Sequence, residues 1–189
     1  MKRSVFIFLL VGAVLIVLSC SQSESKQYKQ NALPNEPVKS GTLFNNQTIE
    51  ESSFINEMKI ETYKDGLLTL NNSRNRPLLI NFWFPSCPAC VAEIPDLQRA
   101  FNVYGNKMDF LGVQQLAIDS PVEGQKFLSQ FNITYPNTPD LGNRLQSEFG
   151  ILAYPTTIFI DKDYRVKKIW TGYIDDENLN NYIKSIIPN

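Results

Sequence analysis

The chain has 189 residues, 43% hydrophobic and 20% charged, with a formal net charge of −1. This is enough apolar material for one packed domain plus extra segments, and the charge balance is too even to draw in nucleic acid or an anionic membrane surface. There is no histidine and there are only three cysteines, Cys20, Cys87 and Cys90. That excludes Ser-His-Asp triads, Cys-His nucleophile pairs and histidine-ligated metal or haem, and it leaves a poor ligand set for zinc.

Lys2 and Arg3 precede an uncharged, mostly apolar run from Val5 to Leu18, shorter than the roughly 20 residues that span a bilayer as a helix. This is the layout of a cleavable export signal over residues 1–19. The small Ser19 before Cys20 resembles the end of a bacterial lipoprotein signal, whose cysteine takes lipid and becomes the new N-terminus. Val17 and Leu18 depart from the usual lipoprotein box, where a leucine and a smaller residue stand. An uncleaved anchor, or an ordinary signal with an incidental cysteine, are the alternatives. Residues 20–41 are rich in Ser, Gln, Asn, Lys and Pro without apolar periodicity and read as a flexible tether. A folded domain is expected over 42–189.

Within it, Lys59 to Tyr63 and Leu67 to Leu70, joined by Lys64-Asp65-Gly66, predict a β-hairpin, and Asn71 to Arg76 a polar loop. Leu78 to Phe84 reads as a buried central strand. A helix follows over Val91 to Tyr104, with Val91, Ile94, Leu97, Phe101 and Tyr104 on one face and Pro95 expected to kink it. Asp109 to Ile118 predicts another strand. Ser120-Pro121-Val122-Glu123 carries the marks of a capped helix start, with Ser as N-cap, Pro at the first position and Glu able to close a capping box. Leu141 to Phe149 predicts a short helix ending at Gly150. Thr156 to Ile160 and Val166 to Trp170 predict an antiparallel pair around the turn Asp161-Lys162-Asp163. Asp175 caps a last helix whose Leu179, Tyr182, Ile183, Ile186 and Ile187 share a face.

The chemistry concentrates in Cys87-Pro88-Ala89-Cys90, at the junction of the first strong strand and the helix after it. A thiol at a helix N-terminus meets free backbone N–H groups and the positive end of the helix dipole, which favour the thiolate. Thiolate is the form that attacks disulfides. The bland alternative is a structural disulfide, but closing so short a loop contributes little stability.

The order of elements, with Asn81-Phe82-Trp83, Cys87-Pro88-Ala89-Cys90, Glu93-Ile94-Pro95 and Tyr154-Pro155-Thr156-Thr157 followed by Ile158-Phe159-Ile160-Asp161, resembles the thioredoxin fold. More narrowly it is similar to membrane-tethered, extracytoplasmic thiol-disulfide oxidoreductases of the TlpA/ResA type, over about residues 42–189. The resemblance implies an α/β architecture, a central mixed sheet flanked by helices, with an added N-terminal β-hairpin. It implies that Cys87 is the exposed nucleophile and Cys90 the resolving thiol. It also implies that Pro155 is cis and faces the pair, so that the Tyr154 backbone can receive an extended substrate segment. Glu93 stands where the ResA-like proteins carry a glutamate that tunes cysteine reactivity. Trp83 and Pro88 join Tyr154 and Pro155 as expected substrate-contacting residues, with core packing the competing reading for Trp83.

Three departures matter. Asn81 replaces the buried, titrating aspartate of cytoplasmic thioredoxins, which leaves Glu93 to handle protons. Ser86 stands where most relatives have tryptophan. Pro88-Ala89 lacks the histidine of strongly oxidising relatives, which leans towards a reductant. The implied partners are disulfides of exported proteins, apocytochrome c cysteines among them, with a membrane-bound thiol reductase as electron donor and a lipid anchor at Cys20. No organic cofactor is needed, because the thiols carry the chemistry, and no metal role is assigned. Asp161, Asp163 and Asp175 read as turn and cap residues. A peroxidase on the same fold is the enzyme rival, but Pro85-Ser86-Cys87 lacks the threonine two residues before the cysteine that peroxidases use. A copper-handling protein is the binding rival, and it lacks the histidine ligand.

Overall fold

The computed structural model describes residues 49–188. The expected export signal, Cys20, the tether and the first residues of the expected domain lie outside the described residues.

A two-stranded antiparallel hairpin, β1 (Met58–Thr62) and β2 (Gly66–Leu70), comes first as expected, with its turn one residue earlier than Lys64-Asp65-Gly66, since Thr62 pairs with Gly66. A five-stranded mixed sheet follows, in the order β5-β4-β3-β6-β7. Its strands are β3 (Leu78–Trp83), β4 (Asp109–Gln114), β5 (Asn137–Pro139), β6 (Thr156–Ile160) and β7 (Val166–Thr171). β3 pairs in parallel with β4 and antiparallel with β6. The helices are α1 (Pro88–Tyr104), α2 (Pro121–Gln130), α3 (Arg144–Glu148) and α4 (Asp176–Ile186). The hairpin forms its own sheet and docks on the β5 edge, where Tyr63 N–H donates to the Asn137 carbonyl at 2.8 Å and Thr138 Oγ1 donates to the Glu61 carbonyl at 2.7 Å.

Every residue of β3 is buried, which is why its sequence is apolar at every position but Asn81 rather than alternating. Its odd positions, Leu79 and Trp83, belong to a core with Ile94 and Leu97 of α1, Phe127 and Leu128 of α2, and Leu179 and Ile183 of α4. Its even positions, Leu78, Ile80 and Phe82, belong to a second core with the hairpin's Ile60 and Leu70 and with Leu145 and Phe149 beside α3. The sheet therefore separates two apolar layers, and its central strand serves both.

Local signals placed the helix starts well. Ser120 Oγ accepts the Glu123 N–H at 3.3 Å, and Glu123 Oε2 accepts the Ser120 N–H at 2.7 Å, so both halves of the capping box form. Asp175 Oδ1 accepts the Asn178 N–H at 2.8 Å at the head of α4. Four expectations need correction. The strand from Asp109 stops at Gln114 instead of Ile118: its partner β3 ends at Trp83, and the chain beyond leaves the ladder with Ile118 exposed. The helix expected over 141–149 is a 3₁₀ turn, Leu141–Asn143, followed by α3, because Gly142 and Asn143 take left-handed backbone angles. β5 was not foreseen; it is three residues long and contains a proline, which only an edge position tolerates. The first helix begins at Pro88, within the cysteine motif, rather than at Val91, and its span includes Pro95.

Candidate active site

Cys87 is the N-cap of α1, and Pro88 opens the helix where its missing N–H is no loss. Cys90 N–H donates to Cys87 Sγ at 3.1 Å, so the sulfur itself receives one of the free donors at the helix start. Cys87 and Cys90 form a disulfide. Cys87 is 5% exposed, Cys90 is fully buried, and Pro88 is exposed. An incoming thiol or disulfide therefore meets Cys87 first.

The Tyr154–Pro155 bond is cis. Phe82 and Thr156 are paired across β3 and β6, so the chain just after β3, which carries Cys87, and the residue just before β6, Pro155, leave the sheet at the same end. The rings of Phe84 and Tyr154 meet there edge to face, with centroids 5.4 Å apart. Tyr154 is half-buried, and burial raises its hydroxyl to about 12.

About one helical turn beyond Cys90 on α1 lies Glu93, 1% exposed. One carboxylate oxygen accepts Asn81 Nδ2 at 2.7 Å and the other accepts the Ile174 N–H at 3.0 Å. Asn81 Nδ2 also donates to Thr157 Oγ1 at 3.0 Å, while Asn81 Oδ1 is buried without a partner. Burial raises the Glu93 carboxyl to about 7, the two donated hydrogen bonds opposing the shift. Desolvation wins because neither donor carries a charge to balance the carboxylate. Glu93 is thus a carboxyl that can hold or release a proton near neutral pH, three residues beyond Cys90 on the same helix.

Trp83 is placed differently from the other expected substrate contacts. It is fully buried, stacks on Phe127 with centroids 5.1 Å apart and donates from Nε1 to Asn137 Oδ1 at 3.0 Å. It has no surface to offer a substrate in this conformation and is part of the floor under the site. Gly112 makes that floor possible, since a Cβ there would overlap the Asn137 side-chain carbonyl.

One residue was missed at the sequence level. Asp119, in the loop between β4 and α2, accepts both the Ser86 N–H at 3.0 Å and the Ser86 hydroxyl at 2.7 Å on a single oxygen. The departure at Ser86 was the only signal of it, and nothing in the sequence pointed to its partner.

The AhpC/TSA family model matches residues 53–169. Thiol-disulfide oxidoreductase ResA of Geobacillus thermodenitrificans is 30% identical over 122 residues, covering 63% of this chain and 68% of that one. Among solved structures, a thiol:disulfide interchange protein of the thioredoxin family from Chlorobium tepidum matches with a TM-score of 0.66 at 16% identity, over 75% of this chain and 100% of that one. The exposed lipoprotein thioredoxin of Streptococcus pneumoniae matches with a TM-score of 0.59 at 20% identity, over 68% of this chain and 98% of that one.

Proposed function

The chain belongs to the AhpC/TSA family and is a thiol-disulfide oxidoreductase of thioredoxin fold, and from that premise we propose that it reduces disulfides of exported proteins outside the cytoplasm, held to a membrane by lipid at Cys20. The observation that carries this reading is a Cys87–Cys90 pair with one sulfur capping a helix and the other buried, three residues before the buried Glu93.

In the reduced protein, Cys87 thiolate attacks one sulfur of a substrate disulfide. The Cys87–substrate bond forms as the substrate S–S bond breaks, and the leaving thiolate takes up a proton from solvent. Cys90 then gives its proton to Glu93 and attacks Cys87 Sγ; the Cys87–Cys90 bond forms and the second substrate thiolate departs. Two electrons pass from the cysteine pair to the substrate. Residues three apart on a helix have Cβ atoms about 5–6 Å apart, which puts the Glu93 carboxyl within a side chain's length of Cys90.

The substrate enters as an extended segment against the Tyr154–Pro155 backbone. Ile118 and Leu152 on the loops at that same end of the sheet, and Val122 in the first turn of α2, are exposed apolar side chains and supply an apolar rim. Apocytochrome c cysteines fit such a substrate class. A membrane thiol reductase that accepts the same rim returns the pair to the dithiol state.

A Cys90→Ser variant expressed in cells tests the reading, because it leaves the mixed disulfide at Cys87 unresolved. Exported cysteine-containing proteins should be captured at Cys87. A trap that captures nothing, together with a wild-type protein lacking disulfide reductase activity, would overturn it.

A further inference from the structure

We propose that Ser86 and Asp119 are positioning residues that hold the approach to Cys87, the Asp119 carboxylate biasing its thiol against ionisation and the Ser86 hydroxyl moderating that bias, so that the cysteine pair is a stronger reductant than the helix N-terminus alone would allow. The inference deepens the reductase reading and rests on it for direction of electron flow.

The geometry is specific. Asp119 is 9% exposed, and one of its oxygens takes both polar hydrogens of Ser86, the residue that directly precedes Cys87. The loop carrying Asp119 is itself tied down from three sides. Gln114 Nε2 donates to the Asp119 carbonyl at 3.3 Å and to the Ser120 carbonyl at 3.0 Å. Tyr63, in the hairpin turn, donates its hydroxyl to Gln114 Oε1. Ser120 closes the capping box of α2. A Cβ at Gly124 would overlap the Gln114 side chain, so the glycine inside α2 lets that helix close on the same buried amide. A carboxylate held this firmly keeps a constant distance from the turn at Cys87.

Two opposing fields then act on Cys87 Sγ. The helix N-terminus and the Cys90 N–H favour the thiolate. The Asp119 carboxylate, one residue away through Ser86, disfavours it by like-charge repulsion. The other acids set around this end of the sheet are engaged elsewhere. Glu93 lies three residues beyond Cys90, bonded to Asn81 and Ile174. Asp140 accepts the Leu145 and Gln146 N–H groups at the head of α3, and Arg144 of that helix pairs with Glu148. Tyr154 is neutral at working pH. Destabilising the thiolate destabilises the dithiol state relative to the disulfide, so the pair gives up its electrons more readily.

The Ser86 hydroxyl moderates the repulsion by donating to the carboxylate. The two residues therefore have opposite expected effects, which loosening of the loop would not produce. Asp119→Asn should raise the thiolate fraction of Cys87 about tenfold at a pH below its midpoint, and at a pH above the wild-type midpoint, where the thiolate is populated, shift the equilibrium with glutathione towards the dithiol by a similar factor. Ser86→Ala should shift both readings the other way, by about threefold, and Ser86→Thr, which keeps the hydroxyl, should restore them. The readings are the pH dependence of Cys87 alkylation by iodoacetamide in the reduced full-length protein, and its redox equilibrium with glutathione. Asp119→Asn and Ser86→Ala moving both readings in the same direction, or leaving the alkylation profile unchanged, would overturn the proposal. If a variant fails to fold by circular dichroism, the opposed shift expected of its partner residue still decides the matter. Both assays use small-molecule probes, so they stand even if the Cys90→Ser trap finds no protein substrate.

Discussion

Replacing Glu93 by Gln removes a buried ionisable group while keeping its shape. In the folded protein the carboxyl titrates at about 7, against an ordinary value of 4.5. Between those values the folded state retains a proton that the unfolded chain has already shed. The Glu93 contribution to stability is therefore fully present below pH 4.5 and is lost as pH rises through about 7. Its full size, at 1.36 kcal/mol per tenfold change in proton affinity, is about 3 kcal/mol. The amide cannot titrate, so the variant is spared this loss. Its hydrogen bonds can be kept: one end still accepts the Ile174 N–H, and if the Asn81 amide turns over, its presently unpartnered Oδ1 receives both the new N–H and the Thr157 hydroxyl.

The assay is urea unfolding of the oxidised protein and the variant at a series of pH values from about 4 to 9. With the cysteines in a disulfide, neither thiol titrates. Glu148, also raised by burial, is common to both proteins and cancels in the difference. Glu93→Gln should gain on the wild type by up to about 3 kcal/mol between acid and alkaline pH, most of it arising between pH 5 and 8. Curves that stay parallel over the whole range would refute the assignment of a raised, buried carboxyl to Glu93. In the reduced protein, the same variant should lose the pH dependence of Cys90 resolution near neutrality, read as the release rate of a mixed disulfide at Cys87.

Trp83→Phe leaves Asn137 Oδ1 buried without its donor, which costs about 1–3 kcal/mol in urea unfolding, while the thiol alkylation rate stays within about twofold. Unchanged stability with a raised KM for a protein disulfide would instead return Trp83 to the substrate surface. Cys20→Ser should move the protein from the membrane fraction to the soluble one and abolish labelling by a radiolabelled fatty acid; persistent membrane association would contradict the lipid anchor.

The parts of this molecule legible in the sequence are those set by short-range rules. The start of α2 follows from Ser120, Pro121 and Glu123, and that of α4 from Asp175, because an N-cap and the N–H it satisfies lie within four residues of each other. The run Leu78–Trp83 betrays a strand buried on both faces, since such a strand has no polar side to show. The Cys87–Cys90 spacing was legible at its element boundary because it sits beside periodic segments that can be recognised without their partners, whereas the cis Tyr154–Pro155 bond was implied only by the resemblance to the thioredoxin fold. β5 escaped notice for the opposite reason. Asn137-Thr138-Pro139 has no strand pattern and becomes a strand only because the edge of β4 and the hairpin receive it.

Residue order along the chain thus accounts for the thioredoxin-like succession of elements and the place of the two cysteines at a helix head. The environment of each functional group comes from packing between distant segments. Trp83 could face solvent or core until Phe127 and Asn137 closed over it. Glu93 could be an ordinary surface acid until burial pushed it to about 7. Ser86 was an unexplained neighbour until the loop after β4 brought Asp119 against it, 33 residues along the chain. Acidity and burial depend on which distant segments pack together, and no local pattern around a residue records what will be folded against it.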